Sequence, residues 1–228
     1  MLDKLDYISI LASGNCPCNC SFCIGKKDRI NEKSHFADYE VIRKFIRDRY
    51  DKTNEISISS SSSDPLAASL SRLIIYGIIG EFPRLKIPLH THIFNKLTYE
   101  LSWDVDGLCV SINNKQDMEN FLALRASIKN VRVSTVVTSE SLEWLNTGEI
   151  FNIGASKYTF RKNVYQPTID FPKVSGKVIG NLFGNDLIQH NNATVAFWNY
   201  STTNKKSKAE YLWANGEIHN QEYWEDFK

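Results

Sequence analysis

The feature that most constrains this chain is a cluster of cysteines near its start. Four of the five cysteines fall within eight residues, in the stretch Cys16-Pro17-Cys18-Asn19-Cys20-Ser21-Phe22-Cys23. This stretch follows a strand-like run, Tyr7–Leu11, through the turn Ser13-Gly14-Asn15. Thiolates crowded on one short loop are suited to binding metal. The cysteines are therefore the first candidates for a functional site.

Two ordinary uses of clustered cysteines fit this pattern less well. Zinc sites usually divide their ligands into two pairs, and this sequence has no second cysteine pair downstream. A disulfide framework is typical of short secreted chains, whereas this chain has 228 residues and no secretory signal at its start. Zinc stays open as an alternative.

The spacing Cys16-x3-Cys20-x2-Cys23, with Phe22 directly before the last cysteine, resembles the cluster-binding loop of the radical S-adenosylmethionine (radical SAM) superfamily. The resemblance implies that these three cysteines hold three irons of a [4Fe–4S] cluster and that the fourth iron is open to SAM. It also implies an enzyme that cleaves SAM reductively to a 5′-deoxyadenosyl radical, which abstracts hydrogen from a substrate. The family pattern does not require Cys18, and Cys18-x-Cys20-x2-Cys23 is the alternative ligand set.

Strand-like and helix-like runs alternate over roughly the first 160 residues, which predicts βα units and a parallel sheet. Six such units are too few to close an eight-stranded barrel, which needs about 250 residues. We therefore predict an α/β fold, an open, partial (β/α)6 barrel of the TIM type, which is also the core fold of the superfamily. The predicted strands are Tyr7–Leu11, Ile56–Ser59, Leu85–Thr91, Gly107–Asn113, Val131–Thr138 and Ile150–Ser156. The predicted helices begin near Asp38 and at Asp64 and cover Asp117–Ser127 and Ser139–Leu145.

The sequence changes character after residue 160. Residues 161–190 contain prolines and glycines between short apolar pairs, which indicates a loop-rich connection. Thr194–Tyr200 and Ala209–Trp213 look like two strands joined by a polar stretch. We therefore predict a barrel core in residues 1–160 and a small β-rich extension in 161–228 within the same domain. The hairpin-like segment 194–218 is expected to cover the open side of the barrel, because exposed strand edges are normally covered or paired.

The second predicted strand is followed by Ser62-Ser63-Asp64-Pro65, where the superfamily carries a Gly-Gly-Glu-Pro-like motif. The resemblance implies that Ser62, Ser63 and Asp64 meet the amino group of SAM. A carboxylate suits an ammonium group, and small residues allow close approach of the backbone. Aspartate before proline is also a standard helix start, with Asp64 as the N-cap. The two roles are compatible.

The fourth predicted strand ends with Ser111 and Asn113, which share a face because side chains alternate along a strand. The resemblance implies that these residues contact the ribose or methionine part of SAM. Arg125 interrupts an apolar stripe on the next helix, and the resemblance suggests that its guanidinium reaches the carboxylate of SAM. An arginine that lies along the surface is the alternative for this residue. Weaker candidates are Thr135, Thr138, His90 and His92.

Composition and charge limit the partners. A net charge of +1, with no basic block longer than Lys205-Lys206, gives no sign of nucleic-acid binding. No apolar run reaches the roughly 18 residues that span a bilayer, so we expect a cytoplasmic protein without membrane contact. The resemblance adds an electron donor such as flavodoxin or ferredoxin. The expected substrate is compact: a nucleotide, an amino acid or a modified side chain.

Two other functions compete with the enzyme. An iron–sulfur protein that only carries electrons would leave the residues after strands two and four without a purpose. A binding module stabilised by zinc would leave the six βα units without one. Both stay as alternatives to a radical SAM enzyme.

Overall fold

The computed structural model describes residues 4–18, 20–23, 33–60, 62–125, 128, 130–163, 165–166, 168–182, 185–198 and 208–220. The chain divides into two compact units: Met1–Leu108 with Ser207–Lys228, and Cys109–Lys206. In chain order, the elements are β1 (Tyr7–Ala12), α1 (Tyr39–Arg47), β2 (Ile56–Ser60), α2 (Ser71–Glu81), β3 (Pro88–Thr91), α3 (Lys96–Leu101), β4 (Gly107–Ser111), α4 (Lys115–Arg125), β5 (Val131–Val137), α5 (Ser139–Asn146), β6 (Lys157–Lys162), β7 (Lys177–Leu182), β8 (Asn185–His190), β9 (Ala193–Trp198), β10 (Ala209–Leu212) and β11 (Ile218–His219).

The first unit is built around β1, in which five of the six residues are buried. This strand pairs in parallel with β2 on one side and with β10 on the other. Ile8 and Ile10 stand opposite Ile56 and Ile58 in the register, and all four side chains are buried. A run of β-branched residues is typical of a parallel strand covered on both faces. The order of strands in this unit is β11-β10-β1-β2-β3, with β11 antiparallel to β10.

The second unit contains parallel strands followed by an antiparallel edge. β6 pairs in parallel with β5 and with β9, whereas β8 pairs antiparallel with β9 and with β7. Tyr158 and Phe160 of β6 are buried, and the residues between and after them are less so. This period of two is expected of a strand that turns one face to the core. β4 crosses the division between the two units.

The fold is mixed α/β with a large parallel sheet, as the sequence predicted. The strand order of the first unit ends at β11 and that of the second unit ends at β7, so neither sheet closes on itself. Within the described residues, no helix has both the length and the apolar character needed to cross a membrane.

The predicted sixth strand, Ile150–Ser156, is wrong. Residues Glu149–Ile153 form a 3₁₀ helix between Gly148 and Gly154, whose φ angles of 77° and 66° lie in the left-handed region. Glycine adopts this conformation without the steric cost that other residues have, and the two glycines therefore bound a short turn. The strand itself comes next, as β6.

The predictions for the C-terminal part are corrected in two ways. Residues 161–190 are not merely a loop-rich connection, because β7 and β8 form a hairpin within them. The two strands predicted in 194–218 exist as β9 and β10, but they are not partners in a hairpin. β9 pairs with β6, and β10 pairs with β1. β9 thus covers the edge of β6, and β10 covers the edge of β1; without them, these strand edges would be unpaired within their units.

The helix predicted to begin at Asp64 is divided. Asp64 caps a 3₁₀ helix of Pro65–Ala67, and α2 begins only at Ser71. Between them, Leu70 has a left-handed φ of 58°, which interrupts the helical backbone. Leu70 and Leu73 are 68% and 69% exposed. The helix α3 was not predicted, and β3 is shorter than its apolar run.

Candidate functional site

The cysteine loop leaves β1 through a turn that requires glycine. Gly14 has a φ of 107°, and a Cβ atom at this position would lie 2.8 Å from the carbonyl oxygen of Lys33. The amide of Gly14 donates a hydrogen bond to Ser62 Oγ at 3.0 Å. Ser13 and His35 exchange two backbone hydrogen bonds beside it. The start of the loop is therefore held between the residues after β2 and residues 33–35.

All five cysteines lie in the described part of the chain as half-buried thiols. The Cys18 thiol donates a hydrogen bond to the sulfur of Cys16, and the backbone amides of Cys18 and Asp64 also point to that sulfur. These contacts lower the pKa of Cys16 to about 6, against the opposing effect of burial. The pKa of Cys18 is raised because its proton is shared with Cys16 and because it is partly buried. A Cys16 thiolate at neutral pH is the form that binds metal.

Cys20 lies against His92, which follows β3. The Cys20 sulfur is 3.4 Å from His92 Nδ1, and the His92 ring contacts the ring of Phe94. The backbone amide of His92 donates to Asp64 Oδ2 at 2.6 Å. The backbone of His92 is therefore fixed by Asp64, and its ring is placed at the cysteine loop.

Asp64 is buried and has several hydrogen-bond partners in the first unit. Its carboxylate accepts from the amide of Leu66 at 2.9 Å, which confirms the predicted N-cap, and from Thr91 Oγ1 at 2.9 Å. With the amide of His92, these donors stabilise the ionised form. Burial nevertheless raises the pKa of Asp64 above its ordinary value, because desolvation outweighs the hydrogen bonds.

Ser62 and Ser63 are also buried, and both contact segments that flank the cysteine loop. Ser63 Oγ lies 2.5 Å from Ser34 Oγ, and the Ser63 amide donates to the carbonyl of Ala12. Phe22 is half-buried. The structure thus brings together the cysteine loop, residues 62–64 and His92. In the parallel strands β1, β2 and β3, these residues all follow the carboxyl ends, where ligands bind in such sheets.

The remaining predicted SAM contacts belong to the second unit. Ser111 ends β4 and is half-buried, and Arg125 ends α4, although its side chain lies outside the described part. Asn113 is buried. Its side-chain Oδ1 accepts a hydrogen bond from the backbone N–H of Val136 at 3.0 Å, and its backbone N–H donates to the carboxylate of Asp117. Asn113 Nδ2 has no hydrogen-bond partner among the described residues. A buried orphan donor of this kind is usually explained by a ligand or water.

The weaker candidates have structural partners. Thr135 Oγ1 donates to the carbonyl of Ile112 at 2.7 Å, and Thr138 caps α5. Two further side chains have features that suggest a function and that the sequence did not indicate. His92, one of the weaker candidates, contacts Cys20. Arg161, which no sequence pattern singles out, has a buried Nε without an acceptor among the described residues. The alternation in Lys157–Lys162 could have placed Arg161 on a strand end.

The cysteine thiols are chemically suited to bind an iron–sulfur cluster, although their sulfurs do not converge on one point in this structure. Among the described residues, no group of three or more His, Cys, Asp or Glu side chains is arranged to hold a metal ion. The sulfurs of Cys16 and Cys20 face other partners, Cys18 and His92. Soft thiol ligands on one half-buried loop, with donors directed at their sulfurs, are what such a cluster requires.

Solved structures of SuiB from Streptococcus suis share this fold. One SuiB structure has a TM-score of 0.63 over 97% of this chain at 12% identity, and SuiB bound to S-adenosylmethionine has 0.62 over 97% at 13%. SuiB bound to the precursor peptide SuiA has 0.56 over 73% at 15%. The chain spans 61%, 61% and 40% of those three chains. The sequence matches no protein-family profile and no curated protein sequence. The similarity shows that this chain shares the fold of SuiB, including the form of SuiB bound to S-adenosylmethionine.

Proposed function

We propose that this chain is a radical SAM enzyme in which Cys16, Cys20 and Cys23 hold one [4Fe–4S] cluster. The cluster, when bound, supplies the electron that cleaves SAM reductively to a 5′-deoxyadenosyl radical, which abstracts hydrogen from a substrate. The observation that carries the proposal is the contact between the cysteine loop and residues 62–64 at the carboxyl ends of β1 and β2. The fold shared with SAM-bound SuiB supports it.

The residues around the loop have definable tasks in this function. The amide of Asp64 donates to the Cys16 sulfur, and the His92 ring is within reach of Cys20. A thiolate that binds metal has no proton and can only accept hydrogen bonds. In both contacts the nitrogen would therefore donate and the cysteine sulfur would accept. Such bonds stabilise the reduced, more negative form of a cluster. The Asp64 carboxylate fixes the backbone that carries His92.

The SAM contacts comprise Ser62, Ser63, Asp64, Ser111, Asn113 and Arg125, with Phe22 beside the cluster. The orphan Nδ2 of Asn113 supports a ligand at that residue. The Asp64 carboxylate already accepts hydrogen bonds from Leu66, Thr91 and His92. We therefore propose that it acts on the amino group of SAM through its negative charge rather than through a further hydrogen bond. The finer fold that we propose is a partial (β/α)6 barrel in residues 1–160 with a β-rich extension. An electron donor such as flavodoxin or ferredoxin and a compact or side-chain substrate complete the proposal.

The test is anaerobic reconstitution with iron and sulfide, followed by electron paramagnetic resonance with and without SAM. We expect a reduced [4Fe–4S] spectrum that changes when SAM is added and 5′-deoxyadenosine that accumulates on reduction with dithionite. Cys20→Ala is the matched negative control, and His219→Ala, whose described contacts are with Glu217 and Trp213, controls for a general effect of substitution. A spectrum indifferent to SAM would identify an electron carrier. Zinc in place of iron would identify a metal-stabilised binding module.

A further inference from the structure

In the second unit, two buried donor atoms lie near the carboxyl ends of parallel strands. They are Asn113 Nδ2 and Arg161 Nε, neither of which has a hydrogen-bond partner among the described residues. Asn113 is 7% exposed, and its Oδ1 is occupied by the amide of Val136 at 3.0 Å. A guanidinium is always charged in proteins and has no acceptor atom. Arg161 as a whole is half-buried, but a buried Nε–H without an acceptor is costly, so water or a ligand has to supply one.

The strand register places Asn113 and Arg161 on either side of Val136. Val136 stands opposite Arg161 in the β5–β6 pairing, and Trp198 stands opposite Arg161 in the β6–β9 pairing. Neighbours in register share a face of the sheet. Asn113, on the other side of Val136, is joined to it by the hydrogen bond to Oδ1. Two strand spacings of about 4.8 Å separate Asn113 from Arg161, a span that an arginine side chain and a small anion can bridge.

The position is at the carboxyl ends of parallel strands, where ligands bind in α/β sheets. Val136 and Arg161 are each the last residue but one of their strands, and Trp198 is the last of its strand. Both unpaired atoms, Asn113 Nδ2 and Arg161 Nε, are hydrogen-bond donors, and the second belongs to a positively charged guanidinium. Their common complement is a group that carries negative charge and acceptor oxygens, because charge-assisted hydrogen bonds are the strongest of this type.

We infer that Asn113 and Arg161 form an anion-binding site that holds a carboxylate or phosphate group of a bound molecule. Arg161 supplies the charge and the fork of N–H donors, and Asn113 adds one amide donor whose direction is set by Val136. The site shares Asn113 with the proposed SAM contacts and adds Arg161, so the case in which it holds the carboxylate of SAM rests on the proposed function. The tests with phosphate and acetate need neither a cluster nor SAM, so their failure is distinguishable from a failure of the proposed function.

The first experiment uses inorganic phosphate and acetate as probes of the whole chain, with chloride at equal ionic strength as the reference. We expect both probes to raise the melting temperature of the parent. Arg161→Gln should weaken the apparent affinity by at least about tenfold, the usual effect of removing a charge-assisted bond. Arg132→Gln is the matched control, because it removes the same charge from an exposed position on β5. Equal responses of the two variants, or no response of the parent, would overturn the inference.

Asn113→Asp tests the same site without removing Arg161. The aspartate keeps the oxygen that accepts from Val136, but its negative charge pairs with Arg161 and repels an added anion. We expect the phosphate response to be lost while the unfolding transition remains cooperative. This variant decides the question if Arg161→Gln does not fold. A phosphate response that is unchanged in Asn113→Asp would contradict the site, since phosphate would then bind elsewhere on the chain.

A third arm distinguishes the two sources of such an anion. SAM has a carboxylate, whereas 5′-methylthioadenosine has the same nucleoside without the amino-acid part. If Arg161→Gln weakens binding of SAM but not of 5′-methylthioadenosine, the site holds the carboxylate of SAM. If it weakens neither but removes the phosphate response, the site holds an anionic group of a second molecule, and the substrate is then an acid or a phosphate ester.

Discussion

Cys16 and Cys18 share a hydrogen bond but are expected to differ in function. We predict that Cys18→Ala retains the cluster, whereas Cys16→Ala, Cys20→Ala and Cys23→Ala lose it, because three thiolates hold the cluster and leave one iron for SAM. Iron and sulfide per chain after anaerobic reconstitution measure this. Loss of iron in Cys18→Ala together with its retention in Cys16→Ala would assign the ligands to Cys18, Cys20 and Cys23.

Asp64 provides a second prediction at this scale. In Asp64→Asn the remaining oxygen still caps Leu66, but the new amide faces the backbone N–H of His92, and donor meets donor. We expect the free energy of unfolding to fall by about 1–3 kcal/mol, the cost of an unsatisfied buried donor. Urea unfolding measures it.

Asp38→Asn is the control for the change in Asp64, because Asp38 caps α1 through one exposed hydrogen bond and asparagine caps equally well. We expect its stability to match that of the parent. If Asp64→Asn also matches the parent in stability and in SAM affinity, the carboxylate of Asp64 is only a cap.

The sequence predicted Asp64 as a cap, which the structure confirms, because a cap depends on residues close along the chain. The prediction of a cysteine site depends on neighbouring residues in the same way. The contacts of Asp64 with Thr91 and His92 join residues 27 and 28 positions apart, and no local pattern reveals them. The sequence does not identify Arg161 as a candidate for a related reason. An arginine near a strand end is ordinary, and only the missing acceptor around its Nε distinguishes it.

Among the elements, the turn at Gly14 is the most sensitive to substitution. Gly14→Ala would place a methyl group against the backbone of residues 33 and 34 at a left-handed φ. We predict a loss of about 1–3 kcal/mol in the free energy of unfolding, measured by urea. Gly80→Ala is the control: it lies in α2 with no atom within 4 Å of the added Cβ, so it should be neutral or stabilise by up to about 1 kcal/mol. Equal stabilities would show that the turn tolerates a side chain.

The elements that were predicted well are those with a clear period and caps. β1, β2 and β5 match their predicted strands within one residue at each end, and α1 begins after the predicted Asp38. Ile150–Ser156 misled because its apolar residues alternate as in a strand, while the left-handed glycines on either side determine a 3₁₀ helix. Composition does not reveal whether a glycine will use its left-handed conformation.

At the scale of the molecule, we predict that β10 stabilises the first unit although it lies about 200 residues after β1 in the chain. Leu212 is fully buried and stands opposite Ile10, and Tyr211 is hydrogen-bonded to Tyr7 at 2.6 Å. We expect Leu212→Ala to cost about 2–5 kcal/mol in urea unfolding, as for other large-to-small core changes. Ile218→Ala, at a half-exposed position of β11, should cost much less. Equal costs would mean that β10 contributes no more than an edge.

The pairing of β10 with β1 was beyond local prediction. The sequence predicts a strand over Ala209–Trp213, of which Ala209–Leu212 forms β10. Its partner lies about 200 residues away, since Tyr7 stands opposite Ala209. A strand pattern determines which residues turn inward, and only the packing of the whole chain determines which edge the strand joins.

The arrangement of the first unit also affects its biosynthesis. β1 and β2 are complete by residue 60, but β10 ends at residue 212. At 5–20 residues per second, roughly 8 to 30 s pass on the ribosome between them. During that interval, one edge of β1 presents unpaired amides and carbonyls that can pair with another nascent chain. Slower initiation, which spaces ribosomes apart on the message, should therefore increase the soluble yield more than slower elongation, which lengthens the exposure.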